Sequence, residues 1–279
     1  MKRSSSSATR LRQQGASAAQ APAVATDGTA LDGYLLVCDD GEAIACGATA
    51  DHGSAVDHLL GRSIVAGAVV PGGYLLCASD GAVLTFGEAR FFGAATSTPL
   101  EHPIVAMCAL ENGRGYWLAS ADGAVYAFGR AADYGSARSY PLRHPVVGIA
   151  APPSGLGYVL VTRDGSVFDF GDVTFSGCLA DQPISAPAAG ICVTGEGDGY
   201  WIALRDGTVH AFGAAENWGD VHEADGVVVG IAAGSRRDGY WLAASDGTVM
   251  AFGAADFMGD GRARMANRKV ISVAAGPGT

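Results

Sequence analysis

The amino-acid sequence predicts an all-β fold built from six copies of one short unit. Three observations carry that prediction. First, a fifteen-residue frame recurs: GYLLVCDDGEAIACG (33–47), GYLLCASDGAVLTFG (73–87), GYWLASADGAVYAFG (115–129), GYVLVTRDGSVFDFG (157–171), GYWIALRDGTVHAFG (199–213) and GYWLAASDGTVMAFG (239–253). Second, its markers keep phase. The Gly-Tyr pairs begin at Gly33, Gly73, Gly115, Gly157, Gly199 and Gly239, and the Asp-Gly pairs at Asp40, Asp80, Asp122, Asp164, Asp206 and Asp246, both spaced 40, 42, 42, 42 and 40. A further glycine (Gly53, Gly93, Gly135, Gly177, Gly219, Gly259) follows each closing glycine by six residues. Third, apolar runs too short for helices flank every Asp-Gly, and no segment shows a helical period.

Each unit opens with an apolar run, at Ile64–Val70, Ile104–Leu110, Val146–Ala151, Ala188–Val193 and Val227–Ala233. The Gly-Tyr segment is expected as its second strand. Asp-Gly between apolar runs is the strongest short hairpin signal, and a two-residue type I′ turn is expected there. In the first hairpin that turn would set Cys38 opposite Ala43 and Cys46 opposite Leu35. The TVMAFG step is the third strand, and a brief segment such as ADFMGD or AENWGD is expected as a fourth. Strands apolar on both faces must be covered on both faces. The expected architecture is therefore a six-bladed β-propeller of four-stranded blades. Tyr and Trp at neighbouring positions of the second strand would pack against different adjacent blades. The first copy lacks an inner strand, whereas RKVISVAAGPGT at the C-terminus matches one. Val270–Ala275 is expected to join the N-terminal blade and close the ring.

Composition narrows the function classes. Hydrophobic residues make up 49% of the 279 and charged residues 16%, which is too apolar for a disordered chain. No apolar run is long enough to span a bilayer, so no membrane insertion is expected. The net charge is −10, but residues 1–26 hold Lys2, Arg3, Arg10 and Arg12 and no acid, leaving 14 basic and 28 acidic residues beyond them. Such an acidic body repels phosphate backbones, so no nucleic-acid partner is expected. Residues 1–28 are expected as a disordered Ser/Ala/Arg-rich arm and 29–279 as the propeller, a monomer. The leader has no apolar stretch of secretory type. The six cysteines fall at different points of the repeat, in place of Ala, Val or Phe, and read as free buried thiols. That favours a reducing compartment.

The unit GYWLAASDGTVMAFGAADFMGD resembles a propeller-type repeat of bacterial, often cell-surface, proteins. More distantly, VVVGIAAGSRRDGYWLAASDGTVMAFG is similar to the regulator-of-chromosome-condensation repeat, which has the same order of inner strand, hairpin and aromatic-Gly step. That second family usually carries a His before its second strand and units of about 50 residues; here Tyr stands in that region. The resemblance spans residues 33–279. It implies a propeller fold and favours the cell surface or secretion, but it implies no particular activity.

Chemistry requires residues that depart from the repeat. No GxSxG, HExxH or GxxxxGK[ST] motif occurs, and no Cys/His cluster suggests zinc, so neither cofactor nor metal is expected. His102 and His144 stand in parallel EHP and RHP contexts, facing one rim. Trp218 lies near the outer end of its unit and is a candidate sugar-stacking ring. The connectors 136–145 and 260–269 concentrate Arg138, Arg143, Arg262 and Arg264, with Arg268 and Lys269, on an acidic body. The expected function is non-catalytic binding or scaffolding, with a protein or a glycan held on the connector face. The alternatives are a hydrolase or lyase at the mouth of the central channel, and an accessory domain of a larger cell-surface protein. Inner strands composed mostly of Ala, Gly, Val and Ile favour binding.

Overall fold

The structure, a computed structural model, describes residues 32–56, 62–97, 99–221 and 226–276; the expected arm of residues 1–28 lies outside them. The described residues form strands β1 (Gly33–Cys38), β2 (Ala43–Gly47), β3 (Ile64–Val70), β4 (Gly73–Ala78), β5 (Val83–Gly87), β6 (Ile104–Ala109), β7 (Gly115–Ser120), β8 (Val125–Gly129) and β9 (Val146–Ala150). They continue with β10 (Gly157–Thr162), β11 (Val167–Gly171), β12 (Ala188–Val193), β13 (Gly199–Leu204), β14 (Val209–Gly213), β15 (Val228–Ala233), β16 (Gly239–Ala244), β17 (Val249–Gly253) and β18 (Val270–Ala275). Six three-stranded sheets result, with orders β18-β1-β2, β3-β4-β5, β6-β7-β8, β9-β10-β11, β12-β13-β14 and β15-β16-β17. We number them one to six in that order. All pairings are antiparallel, and the arrangement is propeller-like.

The turns differ from expectation. In the first hairpin the Gly41 N–H bonds to the Cys38 carbonyl and the Cys38 N–H to the Glu42 carbonyl, which makes a three-residue loop. The same pair of bonds recurs in the other five hairpins. Only the glycine has positive φ, for example 84° at Gly41 and 86° at Gly247. This is a type I turn with a glycine bulge, not a type I′ turn. Asp is selected because its Oδ1 accepts the N–H two residues on, as Asp40 does from Glu42 and Asp246 from Thr248. The extra residue shifts the register by one, so Val37 faces Ala43 and Tyr34 faces Cys46.

Second strands are buried along their whole length and are apolar except at two ends, where the Ser120 and Thr162 hydroxyls donate to Asp122 and Asp164. Alternate side chains enter different clusters. Tyr34 and Leu36 pack with Trp241 and Ala243 of sheet six, while Leu35 and Val37 pack with Tyr74 and Leu76 of sheet two. The pattern repeats, with Trp117 meeting Tyr158 at 5.5 Å and Trp201 meeting Tyr240 at 5.9 Å between ring centroids. Six clusters thus join neighbouring sheets, and one of them lies between sheets six and one. β18 pairs with β1 from Tyr34–Ala275 to Cys38–Val270. The Asp39 N–H bonds to the Lys269 carbonyl as Ser79 bonds to Ser63 and Ala121 to Pro103.

Among the described residues each sheet has three strands, and the expected fourth is not seen. Each closing glycine has positive φ (66° at Gly87, 71° at Gly129) and turns the chain out of the ladder. Side chains then satisfy the backbone that follows. The Tyr116 hydroxyl donates to the Gly93 carbonyl and accepts the Phe92 N–H; five of the Gly-Tyr tyrosines donate to the equivalent glycine of the preceding unit, and Tyr34 donates to Gly259 of the last unit. That bond explains why the outer glycine keeps phase with Gly-Tyr.

The first strands β3, β6, β9, β12, β15 and β18 line one axial cavity of about 220 Å³. Each carries a bulge near its start where the ladder slips. Val65, Val105, Val147, Ala189, Val229 and Ile271 stand at those steps and line the cavity. The next position is always small (Ala66, Ala106, Gly148, Gly190, Gly230, Ser272), and a Cβ on Gly190 would lie 3.5 Å from the Gly230 Cα. Small residues there let adjacent first strands approach closely.

Candidate functional site

The sheets present two opposite faces. Connectors and Asp-Gly turns share one, because each connector feeds the start of a first strand and that start pairs with the end of a second strand. The turns between first and second strands lie at the opposite end.

On the connector face, His102 and His144 are both exposed and precede β6 and β9 on adjacent sheets. Arg138 ties these connectors together, pairing with Glu101 and, at 3.2 Å, with Asp122. Burial disfavours the Asp122 carboxylate, but hydrogen bonds from Ser120 and the Ala124 N–H, together with Arg138, prevail and hold its pKa below the usual range. Arg143 pairs with Asp181 at 2.8 Å beside a shallow cavity of about 140 Å³ walled by Pro141, Leu142, Thr162 and Phe168. Tyr140, 52% exposed, leans on Phe168 at 5.5 Å.

The other arginine-rich connector enters sheet one, which shares no core cluster with sheet four. The two connectors are therefore not brought together. Arg262 pairs with Asp260 at 2.8 Å, Arg264 with Glu42 at 2.7 Å, and Arg268 with Asp40 at 2.9 Å. Arg264 and Arg268 thereby clamp the segment before β18 onto the β1–β2 turn. Trp218 stacks on Trp201 at 5.1 Å and covers Gly253, where an added Cβ would meet its ring at 2.8 Å. His52, Phe92, Tyr134, Ser176 and Met258 cover the closing glycines of the other sheets, so Trp218 occupies a repeat position.

At the opposite opening the axial cavity is lined by Glu111, Pro152, Pro153, Gly234, Ser235 and Arg237. Two thiols on its wall, Cys108 and Cys192, share one position of the first strand, occupied elsewhere by Ala68, Ala150, Ala232 and Ala274. Burial raises Cys192 to about 12 and Cys108 to about 11, with the nearby Arg237 opposing both and the Ala151 backbone also opposing the latter. Both are neutral thiols at pH 7 and weak nucleophiles. Among the described residues no group of three or more His, Cys, Asp or Glu is arranged to hold a metal.

Arg237 is the residue that sequence reasoning missed. Its φ is 54°, and its N–H bonds to the Gly234 carbonyl at 2.9 Å. Gly113, Gly155 and Gly197 make the same turn with φ of 66°, 63° and 77°. The signal was present in the sequence: aligned two residues before Gly-Tyr, three copies carry glycine where the last carries arginine. No protein-family model matches the chain, and no curated protein matches it in sequence.

Proposed function

We propose that the six sheets are the blades of a closed six-bladed β-propeller, sealed by β18 on β1, and that the protein is a non-catalytic binding or scaffolding module. The partner is a protein or a glycan held on the connector face. Supporting closure, the bonds and cluster at the β18–β1 seam have counterparts in the other sheets. One observation carries the function. Repeated side chains hold sheet to sheet, while the connectors, where the copies differ, gather exposed His102, Tyr140, Arg143 and His144 over adjacent sheets. An exposed aromatic beside cationic and imidazole groups suits a glycan or an acidic peptide.

A glycan array and affinity capture with the intact chain test this reading. Binding should fall by about tenfold or more with Tyr140→Ala and Arg143→Ala together. Partners that bind this double variant as tightly as the wild type would overturn it. An asymmetric hydrolase or lyase site at the axial opening is the second reading, favoured by Arg237 and Glu111 there.

A further inference from the structure

At Arg237 the backbone takes a left-handed conformation that its sister turns assign to glycine. A non-glycine residue is strained there, and such strain gathers where a side chain is needed for binding. The side chain is held in place: one Nη1–H donates to the Val193 carbonyl at the end of β12, at 2.5 Å. No carboxylate among the described residues pairs with this guanidinium, so its remaining N–H donors are available at the cavity rim.

The rest of the opening defines the complement. Its wall side chains are apolar, with Ala151, Pro152, Pro153, Val193 and Ala233, while backbone groups between them add polar surface. Glu111 borders the same opening from sheet three, exposed, three sheets away from the sheet-six Arg237. Among the lining residues Arg237 is the cation and Glu111 the carboxylate, at the rim of a well of about 220 Å³ whose side chains are mostly small and apolar. That volume is below the roughly 300–1,000 Å³ of pockets for drug-sized ligands. A simple anion would gain from Arg237 but be repelled by Glu111, whereas a molecule with one charge of each sign satisfies both.

We propose that the axial opening binds a small zwitterion, its carboxylate on Arg237 and its ammonium toward Glu111, with a short hydrocarbon stem in the well. Calorimetric titration of the full chain with 4-aminobutanoate, 5-aminopentanoate and 6-aminohexanoate tests this, with pentanoate and pentylamine as single-charge probes. At least one amino acid should bind about tenfold more tightly than either single-charge probe. Arg237→Gly restores the residue of the sister turns, so it should keep the native circular dichroism and cooperative melting yet weaken binding by about tenfold or more. Glu111→Gln should weaken the amino acid and spare pentanoate. Failure of all three amino acids to bind at about 10 mM would overturn the proposal. So would unchanged affinity in the folded Arg237→Gly variant, or pentanoate binding as tightly as the best amino acid. Arg237→Gly should leave partner binding on the connector face unchanged, so the two sites fail or stand separately.

Discussion

Replacing Trp241 by Ala probes the packing between sheets six and one. The indole is fully buried, 5.0 Å from Tyr34 between ring centroids, with Nε1–H donating to the Asp256 carbonyl at 2.8 Å. A buried Trp removes on the order of 200 Å² from water, or about 5 kcal/mol at 25 cal/mol per Å². The alanine retains part of that, which brings the loss to about 3–5 kcal/mol. Losing the indole bond adds little, because Asp256 is exposed and water can reach its carbonyl. A loss of about 4 kcal/mol lowers the melting temperature by roughly 8–16 °C in a domain of this size. Trp117 supplies the comparison, being fully buried, 5.5 Å from Tyr158 and bonded to the Ala132 carbonyl at 2.8 Å. Urea unfolding followed by far-UV circular dichroism should give Trp117→Ala and Trp241→Ala losses within about 1 kcal/mol of each other. A Trp241→Ala loss near zero beside a large Trp117→Ala loss would refute the described packing of sheet six on sheet one.

Deleting residues 268–279 should cause aggregation or loss of cooperative melting, because it removes β18 and bares the β1 edge; an unchanged melting temperature would refute the seam. Gly129→Ala places a Cβ 2.5 Å from the Arg114 carbonyl oxygen at φ 71°, and calorimetry should show a loss of about 1–3 kcal/mol or more. Gly53→Ala, at φ 97° with nothing within 4 Å, should show only the smaller conformational cost. Acid should weaken the fold through Asp122, Asp164 and Asp206. For each, burial opposes ionisation but is outweighed by hydrogen bonds, from Ser120, Thr162 and Ser185 respectively among others. Their folded pKa values are lowered, so the stabilisation is complete above the unfolded value of about 3.9 and is lost as pH falls through the folded values. Urea midpoints between about pH 5 and pH 2 check the slope, which Asp122→Asn together with Asp164→Asn should flatten.

The all-β class and the strand positions were legible because Gly-Tyr, Asp-Gly and the outer glycine are each demanded by a specific bond or φ angle. Opposite-face packing of Tyr34 and Leu35 followed from strand alternation alone. The turn type was not legible. Asp-Gly serves both a two-residue and a three-residue loop, and the choice moved Cys46 from Leu35 to Tyr34. Where a fourth strand was expected, the described residues instead give their backbone groups to Tyr hydroxyls. Trp218 drew attention as an aromatic at the end of a unit, yet the position takes His, Phe, Tyr, Ser or Met equally because its task is to cover a glycine. Among the named candidates, His102, Arg138, Arg143 and His144 sit on the neighbouring connectors that enter sheets three and four. Arg262 and Arg264 belong to a different seam, which sequence spacing alone does not reveal. Arg237 is marked in the sequence only by a missing glycine, since the demand for positive φ at that turn shows in the backbone and not in the residue itself.

The six interfaces among six sheets have a kinetic corollary. A linear stack of repeats frays from its ends, since a terminal unit leaves by breaking one interface. In the proposed closed ring each sheet would be held on both flanks, so the first departure would have to rupture two clusters together. Closure would thereby suppress partial opening of the described sheets in favour of concerted unfolding, and slow proteases that cut transiently released strands.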